Sequence, residues 1–138
     1  MSGRILAIDY GLKRVGIAVT DPLKIIANPL TTVDNPKLFD FLKEYFQKET
    51  VELIVVGEPF SESGAIQEMQ IEVKQFANKL KQIFPNMPIA FEDERYTSRM
   101  AQQSMIAFGV KKSKRKDKKM LDSMSAALIL QSYLEKNS

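Results

Sequence analysis

Two apolar runs only four residues apart govern what this chain can become. Arg4 to Asp9 (RILAID) and Arg14 to Thr20 (RVGIAVT) are rich in aliphatic and β-branched residues, and Tyr10-Gly11-Leu12-Lys13 between them gives hairpin spacing with a glycine for the turn. They read as two antiparallel strands. A third strand around Ile25 to Val33 extends the pattern, and Pro29 within it points to an edge or irregular position.

Beyond that point the period changes. Asn35-Pro36 looks like an N-cap with a first-turn proline, and Leu38, Phe41, Leu42, Tyr45 and Phe46 recur at helical spacing up to about Thr50. Glu52 to Gly57 (ELIVVG) reads as a buried parallel strand. Met69, Val73, Phe76, Leu80 and Ile83 mark one face of a longer helix that Pro85 stops. Pro88 to Glu92 is a fifth strand, Thr97 or Ser98 caps a helix to about Phe108-Gly109, and Met120 to Leu134 is a last helix with Leu121, Met124 and Leu128 in period.

The order predicts an α/β domain: a five-stranded mixed sheet with a three-strand antiparallel start, then parallel strands, and helices on both faces. At 138 residues, without repeats or a linker, residues 1–138 should form one domain around one core. No run of 18 apolar residues occurs, and Met1-Ser2-Gly3-Arg4 leads straight into a strand. A cytoplasmic protein without a membrane anchor is expected.

Histidine and cysteine are both absent, which removes the Ser-His-Asp arrangement, thiolate nucleophiles and imidazole- or sulfur-ligated zinc. A neutral-pH enzyme of this composition would most simply make its nucleophile with a metal held by carboxylates, and oxygen ligands favour Mg or Mn. The charge pattern adds a partner. Lys111 to Lys119 (KKSKRKDKK) carries +6 of a net +3, leaving −3 for the remainder. Lys111, Lys112, Lys114, Arg115, Lys116, Lys118 and Lys119 suit a polyanion such as nucleic acid, although a solvated loop without a ligand would look the same.

Four acidic residues stand where packing does not ask for them. Asp9 ends a strand whose Ile5-Leu6-Ala7-Ile8 run suggests burial on both faces, and a charge there costs several kcal/mol unless paired or bound to a cation. Asp93 and Glu94 also end an apolar strand, at the edge where parallel crossovers place their ligand crevice. Asp122, in the first turn of the last helix, shares a face with Ser125, Ala126 and Ile129. Each has a plainer account: a turn bond for Asp9, a cap or an ion pair with Arg95 for the strand-end pair, dipole compensation for Asp122. Their conjunction with a basic segment favours a shared site in which two divalent ions support an in-line displacement.

Ile8-Asp9-Tyr10-Gly11 with Gly16, Val56-Gly57 with Pro59, Asp93-Glu94-Arg95, the Lys-rich segment and Asp122-Ser123 with Ala126-Ala127 together resemble the YqgF family, the pre-16S ribosomal RNA nucleases also called Holliday junction resolvase-like proteins. The resemblance spans nearly the whole chain. It implies a ribonuclease-H-like fold, metal-dependent phosphodiester hydrolysis and maturation of the 5′ end of the small-subunit ribosomal RNA precursor. Carried over by position, Asp9, Glu94 with Asp93, and Asp122 would be the catalytic and metal-binding acids, and Arg95 would meet a phosphate. Glu58 stands where an apolar residue is expected, and Tyr96 where leucine is usual.

Three functions follow from these features: a nuclease acting on structured RNA or branched DNA, a non-catalytic nucleic-acid adaptor in transcription or ribosome assembly, and an actin-like nucleotide-binding fold. The last needs two domains, more than this length supplies. A junction resolvase would need two active sites, hence a homodimer, whereas a processing nuclease could act alone.

Overall fold

The computed structural model of the chain describes residues 3–59, 64–93 and 118–137. β1 (Arg4–Asp9), β2 (Arg14–Thr20) and β3 (Ala27–Asp34) form the expected antiparallel meander, while β4 (Val51–Glu58) and β5 (Ile89–Asp93) run parallel to β1, in the order β3-β2-β1-β4-β5. β3 is indeed an edge strand. Its register skips Leu30, since Ile17 faces Thr31 while Ala18 faces Pro29, a bulge beside the proline.

β3 starts two residues later than the apolar pattern suggests. The Asp21 carboxylate accepts backbone N–H bonds from Leu23 at 3.1 Å and from Ile25 and Ile26 at 2.8 Å, which ties both isoleucines into the turn and leaves them exposed. Lys24 takes a left-handed φ of 60° within this turn and pairs with Glu52.

The alternating faces of the strands make two cores. Leu6, Ile8, Val15, Ile17, Ile54 and Val56 pack under α1 (Leu38–Lys48) and α2 (Gly64–Ile83), which contribute Leu38 and Leu42, and Val73, Phe76 and Leu80. The opposite parity, Ile5, Ala7, Ala18 and Val55, packs under α3 (Lys118–Lys136) through Ala126, Ala127, Ile129 and Leu130. Helices therefore cover both faces, as expected. Burying Ile129 and Leu130 contributes about 1.5–3 kcal/mol each.

Three local expectations are corrected. Asn35 caps nothing: a short 3-10 turn, Asn35–Lys37, precedes α1, its cap residue is Asp34, and the Asn35 amide instead donates to the Gly11 carbonyl at 2.8 Å. The last helix begins at Lys118 rather than Met120, so Asp122 lies past its first turn. Its core-facing stripe is the small-residue face around Ala126 and Ala127; Leu121, Met124 and Leu128 form a satellite cluster with Met120. The sheet beneath α3 carries Ala7, Gly16 and Ala18, so small residues on both sides allow the closer approach. The helix expected from Thr97 or Ser98 to Phe108 lies outside the described residues. Among those residues no helix is long and apolar enough to cross a membrane.

Candidate active site

Asp9 is the last residue of β1, and strand alternation puts it on the face of Ile5 and Ala7, the one that α3 covers. Its turn is braced from both sides. Tyr10 stacks on Phe76 with ring centroids 4.3 Å apart, and Asn35 bonds the turn by its amide to Gly11 and by its backbone N–H to the Lys13 carbonyl at 2.9 Å. A Cβ on Gly11 would lie 2.4 Å from the Arg14 carbonyl oxygen, so only glycine closes this turn.

Directly across from Asp9 on β2 is Gly16. A side chain there would strike the backbone of α3: a Cβ would sit 2.0 Å from the Asp122 carbonyl oxygen and 2.4 Å from its carbon. The missing side chain thus seats Asp122 on the strand position that pairs with Asp9, about 5 Å away between paired strand positions. One glycine sets the backbone of Asp122 beside the strand position opposite Asp9. The Asp122 carboxylate accepts a bond from Arg14 Nε at 2.8 Å, with both side chains about a quarter to a third exposed (25% and 31%), too sheltered for full solvent screening. Thr32 of β3 donates to the Lys119 carbonyl and fastens the start of α3 to the same hairpin.

Asp93 does not join this pair directly. Its register partner is Glu58, and alternation carries both to the α1 and α2 side of the sheet, two strands and about 10 Å from β1. Its neighbour Glu92, which the sequence reading passed over, is the acid on the α3 face: only 6% exposed, it accepts bonds from Ser132 Oγ at 2.6 Å and Lys136 Nζ at 2.8 Å. It clamps the far end of α3 to β5. The signal was present in Phe91-Glu92-Asp93, because period-two alternation sends adjacent acids to opposite faces.

Glu94, Arg95, Tyr96 and the basic residues Lys111, Lys112, Lys114, Arg115 and Lys116 lie outside the described residues. Lys118 and Lys119 open α3, with Lys119 exposed. Among the described residues no three acidic side chains gather closely enough to hold a metal by themselves. What they do offer is carboxylate oxygen alone, in a chain without imidazole or thiolate, and that donor chemistry suits a hard divalent cation.

Comparison with known proteins extends this picture. A curated protein of Porphyromonas gingivalis, named "Putative pre-16S rRNA nuclease", is 53% identical over 133 residues, which cover 96% of each chain. One of Christiangramia forsetii with the same name is 50% identical over 95% of this chain and 97% of its own. Among solved structures, Thermus thermophilus RuvC in complex with a Holliday junction substrate superimposes with a TM-score of 0.59 over 99% of this chain and 96% of that one, at 14% identity. A second T. thermophilus RuvC structure gives 0.53 over 97% and 96%, also at 14% identity. The shared fold is the ribonuclease-H-like mixed sheet. Residues 3–136 match the family described as "RuvX: Holliday junction resolvase", and with half of all positions shared with full-length relatives, the chain belongs to the RuvX family, the one its Asp9, Asp93-Glu94-Arg95 and Asp122 motifs resemble.

Proposed function

We propose that this chain is a divalent-metal-dependent nuclease that hydrolyses phosphodiester bonds in the cytoplasm, its task being 5′-end processing of pre-16S ribosomal RNA. The observation that carries the reading is the seating of Asp122 over Gly16, opposite Asp9. Both acids belong to the α3 face of the sheet, Asp122 bonded to Arg14, where a divalent cation could be shared between their carboxylates.

Asp9, Glu94 and Asp122 are the catalytic acids in this reading and would hold Mg or Mn in a two-metal arrangement, while Asp93, expected as a further ligand, faces the other side of the sheet and is left out of the set. Such a cation supplies charge neutralisation at the phosphate and a lowered pKa for attacking water. The chain's own residues do the rest. Asp9 is fixed by the braced turn behind it, Asp122 by α3, and a strand-based site holds geometry better than a loop. Arg95 and the basic run Lys111, Lys112, Lys114, Arg115, Lys116, Lys118 and Lys119 bind backbone phosphates and set the register of the nucleic acid without reading its sequence.

The test is cleavage of a panel of precursor 5′-leader RNA, duplexes and four-way junctions, with Mg or Mn, by wild type, Asp9→Asn and Asp122→Asn. Both variants should lose cleavage by more than about 100-fold, beyond the usual cost of an outer-layer partner, while still binding nucleic acid. Unchanged cleavage by either refutes the site. Preferred cutting of the four-way junction would redirect the substrate to branched DNA and call for a homodimer.

A further inference from the structure

The residue that grips Asp122 belongs to neither the acidic set nor the basic run. We infer that Arg14 is the positioning residue of the site: by holding Asp122 Oδ2 it aims the carboxylate and leaves Oδ1 as the atom that binds the cation. The inference rests on the proposed reading of Asp9 and Asp122 as metal ligands.

Three observations carry it. Arg14 and Gly16 are two apart on β2 and share the α3 face, so the strand that opens a seat for the Asp122 backbone also sends the guanidinium to its side chain. Arg14 springs from a fixed base. It is the first residue of β2, its Cα partner is Asp34, and Asn35 bonds the preceding turn at Gly11 and Lys13. Asp122 is also the fifth residue of α3, outside the first turn, so the dipole of the helix start gives no separate reason for an acid there.

The contact is monodentate, through Nε at 2.8 Å. A carboxylate bonded at one oxygen by a planar, permanently charged donor is confined in rotation while its second oxygen stays available, the arrangement usual for carboxylates that bind metals. Two effects oppose each other. As a bare charge, Arg14 would repel a cation; as an orienting partner, it raises affinity by pre-setting a ligand that would otherwise sample several rotamers. The fixed base and sheltered contact favour orientation.

Binding of Mn to the full chain, measured by calorimetry with the melting temperature as a check on folding, decides between them. Arg14→Gln should weaken Mn binding about 10- to 100-fold, the range for outer-layer partners of ligands. Arg14→Lys, which keeps the charge but not the planar N–H, should recover only part of the loss, and it serves as the readout if the glutamine variant folds poorly. Equal or tighter Mn binding by whichever variant is folded overturns the inference. Asp122→Asn separates the two levels of the argument: if it binds Mn like wild type, the metal-site reading itself is wrong, independently of Arg14.

Discussion

Replacing Gly16 by alanine puts one methyl group into the contact on which the acidic pair depends. The added Cβ would lie 2.0 Å from the Asp122 carbonyl oxygen and 3.0 Å from the Ser123 nitrogen, where ordinary contact begins near 3.4 Å. Helix α3 must therefore lift by about 1.4 Å, because the obstacle is backbone and cannot rotate away. Overpacking of this kind costs typically 1–3 kcal/mol, and backbone against backbone belongs at the upper end, about 3 kcal/mol and roughly 10 °C in melting temperature for a domain of this size. The same lift draws Asp122 away from Asp9 and from Arg14, and if Asp122 acts as proposed, a displacement near 1 Å can cost about 100-fold in rate. Urea unfolding gives the first quantity, as a lower midpoint at unchanged slope, and cleavage by the fraction still folded gives the second. An alanine variant within about 0.5 kcal/mol of wild type, the usual range of a harmless surface change, would refute the claim that a bare strand position seats the helix.

At the other end of α3, Ser132→Ala removes the 2.6 Å bond to buried Glu92 and should destabilise by about 1.5 kcal/mol, the low end for a bond to a charged group because Lys136 remains; urea unfolding checks it, and no measurable loss would mean the clamp is idle. The Asp21 carboxyl is held below its usual range, first by the Ile26 N–H and then by those of Ile25 and Leu23. A depressed folded-state pKa gives stability that is present above the ordinary carboxylate range and lost as pH falls through the folded value, so Asp21→Asn should flatten the fall in melting temperature between about pH 5 and pH 3; equal slopes would contradict it.

The parts legible in the sequence are those where burial imposes a period. β1, β2 and β4 are apolar on both faces because both faces are covered, and Pro29 marked the edge strand because a proline cannot donate to a ladder. What escaped were choices between two local partners. Asn35 could cap a helix or brace a turn, and the Gly11 carbonyl won. Ile25 and Ile26 have strand propensity, yet the Asp21 carboxylate holds their N–H groups. Asp9 and Asp122 were recognisable as acids in costly places, but the Arg14 contact links residues 108 positions apart and has no local signature. Within β5, alternation turns Glu92 and Asp93 to opposite sides, and Glu92, unremarked in the sequence, is the buried one.

Helix α3 touches all five strands, yet it follows every one of them in the chain. During synthesis the hairpin, the parallel strands and the helices α1 and α2 are all made before the helix that packs on the other side of the sheet. Asp9 and its partner Gly16 are made early, and the Asp122 backbone reaches them only when α3 docks. The contact between Gly16 and the Asp122 backbone is therefore among the last to close, and it joins two segments separated by most of the chain.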